Sequence, residues 1–187
     1  MNEKHINKLK SFNACEEAVR WFAKQRTPLL AWRDCKRPDW LLWFAGKQAG
    51  EPGCASRRTL VMCVCECARL ALPHVAAGEK RPLQAIETAE AWARGDAGVT
   101  LKQVQAAANA AYVAAYAAYA ANAANAAIAA DAAANAANAA NAAYAANAAN
   151  VAYAAARATT NAQCCGIIRK YYSKPPQKAA KAGGGEK

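Results

Sequence analysis

Acidic residues are scarce in this 187-residue chain: 13 Asp+Glu stand against 24 Lys+Arg, for a formal charge of +11, which excludes an acidic solvating tail or a halophile-type surface. Large apolar side chains are scarce as well. Phe numbers three and Met two, and although 55% of the residues are hydrophobic, Ala supplies 35 of the 53 positions in 106–158. The core expected from the remainder is small. No uncharged apolar run approaches the roughly 18 residues of a membrane span, and Met1 to Lys10 is too charged for a signal peptide. The chain is therefore expected in the cytoplasm, without a membrane partner. Its length suits one ordinary domain, with or without an extension, and not a large multidomain enzyme.

The arrangements that chemistry needs are equally hard to find. No nucleophile stands with a base, and no phosphate-cradling glycine loop occurs, since Gly183 to Gly185 have no strand before them and no helix after. His5 lies in a charged terminal stretch and His74 in a Pro-bounded connection, both ordinary surface settings. Glu87 and Glu90 share a helix face, but Arg94 stands beside them, so a solvated Glu90–Arg94 pair is expected rather than acid–base work. Neither an enzyme nor a cofactor site is expected. Eight cysteines remain: Cys15, Cys35, Cys54, Cys63, Cys65, Cys67, Cys164 and Cys165. Without a secretory context they are not a disulfide framework. "CVCEC" at 63–67 sits in a run that reads as helix, where Cys65 points about 200° from Cys63, so three thiolates cannot converge on a metal. They read as small buried residues, and so does the Cys164–Cys165 pair.

What is present is helix punctuation. Asn13 with Glu16 reads as an N-cap and capping-box partner. Thr27-Pro28 and Pro38-Asp39 are further starts, the second ended by Gly46 or Gly50. The turn-rich 46–56 stretch is the expected flexible loop. Ser56 opens a helix to about Leu72, Pro82 begins one that Gly95 stops with Leu83, Ile86, Ala89 and Ala93 inward, and Thr100 with Gln103 is another capping box. No two-residue alternation competes, so the fold class is all-α: a compact array of short helices followed by a long Ala-rich helix or helical hairpin.

The expected organisation is a helical part with a Trp-rich core over 1–104, an Ala-rich segment over 105–172 packing on it in the same domain, and a disordered basic tail over 173–187. In the Ala-rich segment, Asn and Tyr recur mostly every third residue, a spacing that turns about 60° per repeat on a 3.6-residue helix. Only the 3,4,3 spacing of Asn109, Tyr112, Tyr116 and Tyr119 keeps its side chains on one face. A straight helix of about 60 residues would reach roughly 90 Å. A break near an Asn-rich stretch is therefore favoured over one long helix paired with a second chain.

Charge gathers at the two ends, with nine basic residues in 1–37 and seven in 157–187. This leaves three kinds of partner open. Arg57-Arg58 and Arg169-Lys170 with the basic ends suit non-specific nucleic-acid contact. The Ala-rich helix suits a homodimer. The aromatic residues Tyr112, Tyr116 and Tyr119, with Arg57, Arg58, Arg169 and Lys170, suit a protein interface.

The segments "DWLLWFAG", "CVCECARLALPHV", "GEKRPLQAIETAEAWARG", "AAYVAAYAAYA" and "IIRKYY" together resemble the immunity protein family of bacterial polymorphic toxin systems, over roughly 27–172. The resemblance is strongest where Pro82, Ala85, Ile86, Ala89, Ala91, Trp92 and Ala93 stand in order. It implies a small helical protein that neutralises a toxin by protein–protein contact. Given the positive charge of this chain, such a toxin would present an acidic surface.

Overall fold

The computed structural model describes residues 3–120, 128, 131, 133–136 and 161–178, with the side chains of 115–120 outside that description. Every regular element among these residues is helical. The elements are α1 (Glu3–Ser11), α2 (Glu16–Ala23), α3 (Pro28–Asp34), α4 (Pro38–Gln48), α5 (Ala55–Arg69), a 3₁₀ turn (Leu72–His74), α6 (Arg81–Arg94), α7 (Leu101–Ala120) and α8 (Asn161–Tyr171). No helix among them is long and apolar enough to cross a membrane.

Several helix ends follow from local chemistry. The Thr27 hydroxyl accepts from the Leu30 N–H at 3.1 Å, with Pro28 at the start of α3. Thr100 and Gln103 form the reciprocal capping box at 2.7 and 3.3 Å. Gly95, at φ +83°, ends α6 in a left-handed turn whose following N–H groups return to Trp92 and Ala91. Gly46 is buried inside α4, which runs on to Gln48 because nothing at Gly46 requires a left-handed turn.

Asn13 is not an N-cap. It takes φ +60° and closes α1 instead: its own N–H reaches the Lys10 carbonyl and that of Ala14 the Leu9 carbonyl, leaving Cys15 to cap α2. Ser56 does not open α5 either, because Cys54 is the cap. The Ser56 hydroxyl accepts from the Gly50 N–H at 3.1 Å, and Arg57 Nε donates to the Gly50 carbonyl at 2.9 Å. These bonds tie down the connection expected to be the most flexible.

The helices α7, α6 and α5 pack side by side in that order, and α8 lies against both α5 and α4, while α1 rests chiefly on α2. Both α6 and α7 carry small buried residues, Ala85, Ala89 and Ala93 on the first and Ala108 and Ala111 on the second, which permit close approach of the two helices. Leu42, Leu60, Ile86 and Ile168 are the largest aliphatic residues fully enclosed. Truncating one of them to Ala costs about 2–5 kcal/mol. Leu83, expected inward, is 36% exposed, and Trp92 takes the inward position on α6. The Gln48 side-chain amide is buried with no hydrogen-bond partner among the described residues.

The Ala-rich segment folds back on itself. The Tyr112 hydroxyl donates to Asn135 Oδ1 at 2.8 Å, whereas 23 residues of straight helix would separate them by about 35 Å. Residues 133–136 are helical and buried. One uninterrupted straight helix over the whole segment is therefore excluded, while the Asn-rich stretch expected to hold the break lies largely outside the described residues. Val104, Ala108 and Ala111 occupy the inner face of α7.

Candidate functional site: an aromatic groove between the chain ends

Four of the five tryptophans, Trp21, Trp32, Trp40 and Trp43, line a single open groove of about 920 Å³, together with Phe22 and Phe44. Its floor comes from α2, α3 and α4, where short helices place apolar side chains at i, i+3 and i+4 on one side. Leu42 of "DWLLWF" turns inward and is fully buried, Leu41 lies in the floor, and Trp40 and Trp43, three residues apart, are half-buried at the groove. Trp21 and Trp40 lie 5.9 Å apart and tilted, and Trp32 and Phe44 lie 6.3 Å apart. These are attractive ring arrangements, set by the aromatic quadrupoles.

The floor is held from behind. Trp32 Nε1 donates to the Tyr172 carbonyl at 2.8 Å, and the two rings meet edge-on. Arg169 donates from Nε and Nη2 to the Trp32 carbonyl at 3.3 and 3.1 Å, and from Nη2 to the Cys35 carbonyl. Those carbonyls belong to the last turn of α3, which has no intrahelical donor to offer them. At the edge, Arg37 lies over the Trp40 ring at 4.5 Å and grips Asp39 with two bonds of 2.8 and 3.0 Å, which raise its already high pKa.

The rim is cationic. α1 contributes Lys4 and Lys8, with His5 beside them, and the segment after α8 contributes Lys174, followed by the uncharged Pro175, Pro176 and Gln177. No carboxylate lines the groove among the described residues. Residues 173–178, expected within a disordered tail, lie against the helices, with Pro175 and Pro176 half-buried. Residues 179–187 lie outside the described residues.

The residues singled out in the sequence do not converge here. Arg57 is buried, at 2% exposure, with its Nε on the Gly50 carbonyl, so it is no surface anchor; desolvation holds its pKa below the usual arginine range. Arg58 donates to the Gly53 carbonyl at 3.2 Å and lies over Trp92. Arg169 caps α3, while Lys170, exposed, pairs with Glu66 at 3.0 Å. Tyr112 is half-buried and bonded to Asn135. The side chains of Tyr116 and Tyr119 lie outside the described residues.

Glu90 pairs with Arg69 of α5 at 2.7 and 2.8 Å rather than with Arg94, which turns to Asp96. The bond across α5 and α6 is bidentate and more enclosed than an i,i+4 pair on a helix surface.

The cysteines are packed into the core. Cys63, Cys65 and Cys67 are fully buried, and Cys164 and Cys165 face different ways, the first bonded to Cys67 and the second to the Cys35 carbonyl at 3.7 Å. Burial pushes the Cys35 thiol up to about 11. The Cys164 hydrogen bond draws Cys67 down, but bonding to Cys63 and burial outweigh it and hold that thiol well above its ordinary value. No cluster of three His, Cys, Asp or Glu suited to a metal occurs among the described residues.

Trp32 and Trp92 are buried in the core, with Trp21 and Trp40 partly buried against it, but the open groove beside them was not read from the sequence. Leu29, 50% exposed on the α3 side of the groove, gave no signal in the sequence, because a Leu directly after a Thr-Pro helix start lies in the first turn, where the face it shows depends on packing. The chain matches no known protein family, no curated protein and no solved structure.

Proposed function

We propose that this chain is a non-catalytic cytoplasmic binding protein that acts, as its resemblance to immunity proteins implies, by covering a surface on a protein partner. The observation that carries this reading is the groove: six aromatic side chains on its floor, lysines on its rim and no carboxylate among the described lining residues. Protein interfaces are built in this way, with buried aromatic anchors inside a charged border. The partner offers apolar side chains flanked by acidic ones, and in the immunity setting it is a toxin.

Two other readings have less support. Nucleic-acid contact was expected to draw on arginines, yet Arg57 and Arg169 are engaged with backbone carbonyls. Homodimerisation through the Ala-rich segment would need a free Ala face, and the inner face of α7 is covered by α6.

Co-expression with a toxin encoded beside this chain tests the proposal. Growth should be restored by the native chain and lost with Leu29→Glu, which places a carboxylate on the groove without removing a buried group. Rescue that survives Leu29→Glu, or turnover of a small molecule by the purified chain, would sink the reading.

A further inference from the structure

The groove is closed at its rim by the two ends of the chain, and both ends bring the same charge. Lys4 and Lys8 come from α1, which rests chiefly on α2, and Lys174 comes from the segment after α8. Lys4, Lys8 and Lys174 are all exposed, and a cleft bordered by one sign of charge attracts groups of the other sign. The segment carrying Lys174 is itself informative. Ser173 and Lys174 form a bend, and after it Pro175 precedes Pro176, a pair whose fixed φ favours the polyproline conformation that makes no backbone bonds of its own. Both prolines are half-buried and line the groove beside its tryptophans. Pro175 and Pro176 thus form part of the groove's lining, which encloses about 920 Å³. That space lies within the roughly 300–1,000 Å³ of pockets that enclose a compact ligand rather than a whole domain.

We propose that the groove binds an extended segment of a protein partner in which carboxylates flank a few large apolar residues, and that Lys174 and the Pro175-Pro176 run are part of that binding site. This rests on the reading of the chain as a protein-binding module and specifies what it recognises. The apolar residues of the segment cover the tryptophan floor, and its carboxylates lie between the α1 lysines and Lys174, bringing opposite charges to a rim of like ones. A segment of this kind joins the two ends of the chain, which among the described residues share no carboxylate of their own at the groove.

The test uses the full-length chain and a fluorescein-labelled ten-residue peptide that alternates glutamate with leucine, phenylalanine and proline, read by anisotropy. Lys8→Glu and Lys174→Glu should each weaken binding about tenfold, the range for charges at an interface rim. Lys102→Glu, an exposed lysine on α7 away from the groove, should leave it unchanged. A peptide with lysine for glutamate should bind at least about tenfold less tightly. Circular dichroism checks that each variant stays folded. Equal affinity for both peptides, an unaffected Lys174→Glu variant, or no binding by the native chain would overturn the inference. Displacement of the peptide by oleate with no dependence on peptide charge would also overturn it, and would identify a site for an anionic amphiphile. Failure in these assays leaves growth rescue as the separate judge of protein binding, whereas loss of rescue dependence on Leu29 would count against the function itself.

Discussion

Arg169→Ala separates a structural arginine from a surface one. The side chain donates to two carbonyls at the end of α3, Trp32 and Cys35, and so couples α8 to the helix that carries the groove floor. Hydrogen bonds from a charged donor contribute about 1.5–3 kcal/mol, and carbonyls left without a donor add their own penalty. Arg169 is half-buried, so water can replace part of what is lost, and the expected destabilisation is about 2 kcal/mol. For a domain of this size that lowers Tm by about 4–8 °C. Thermal unfolding followed by circular dichroism measures it. Arg169→Lys should recover only part of the loss, because one ammonium cannot present two forked donors. Lys170→Ala is the control: its pairing with Glu66 is exposed, and such pairs contribute at most about 1 kcal/mol. Equal effects of Arg169→Ala and Lys170→Ala, or no shift in Tm for Arg169→Ala, would refute the assignment of Arg169 as the cap of α3.

Thiol reagents give an independent check on the core. Cys15 is exposed and Cys54 half-buried, while the other six are buried, so about two thiols should react in the native chain and all eight after denaturation; rapid native labelling of more would mean the α5–α8 packing is wrong. The Arg81 side chain hydrogen-bonds Glu79 and holds its carboxyl down at about 2, against an ordinary 4.5. Because the folded value is the lower one, this stabilising contribution is complete above pH 4.5 and is lost as pH falls toward 2. In Arg81→Ala the Glu79 titration, followed by NMR, should move up toward the ordinary value. Gln48→Met replaces an amide buried without a hydrogen-bond partner among the described residues by an apolar side chain of similar length, and should raise stability by about 1–2 kcal/mol in chemical denaturation; a loss of that size would show the amide to be satisfied. Tyr112→Phe removes the bond to Asn135 and should cost about 0.5–1.5 kcal/mol, with faster amide exchange at 133–136; unchanged exchange there would contradict the fold-back.

The all-helical character, the starts at Thr27 and Thr100 and the stop at Gly95 were legible in the sequence because each depends on chemistry within three or four residues. A hydroxyl reaching an N–H three positions on, or a glycine adopting positive φ, needs no distant partner. The 100° step of a helix likewise turns Cys65 away from Cys63, but their common burial is tertiary, Cys65 lying against the Ile86 carbonyl of α6 and Cys67 against Cys164 of α8.

Choices between partners could not be read so. Asn13 serves as an N-cap or a left-handed helix end equally well by local rules, and the end of α1 decided it. Glu90 had Arg94 one turn away, but Arg69 on the neighbouring helix offers a better-enclosed, two-bond geometry. Arg57 and Arg169 resemble surface cations in any composition count, and only the positions of Gly50, Trp32 and Cys35 in space draw them to backbone carbonyls. The groove is the clearest case. Its tryptophans are spaced like core residues, and whether such a face is sealed or left open depends on which helix packs over it. Helical periodicity identifies an apolar face, whereas occupation of that face is a long-range packing outcome; here α1 and the Lys174–Gln177 segment, from opposite ends of the chain, border the aromatic floor without filling it.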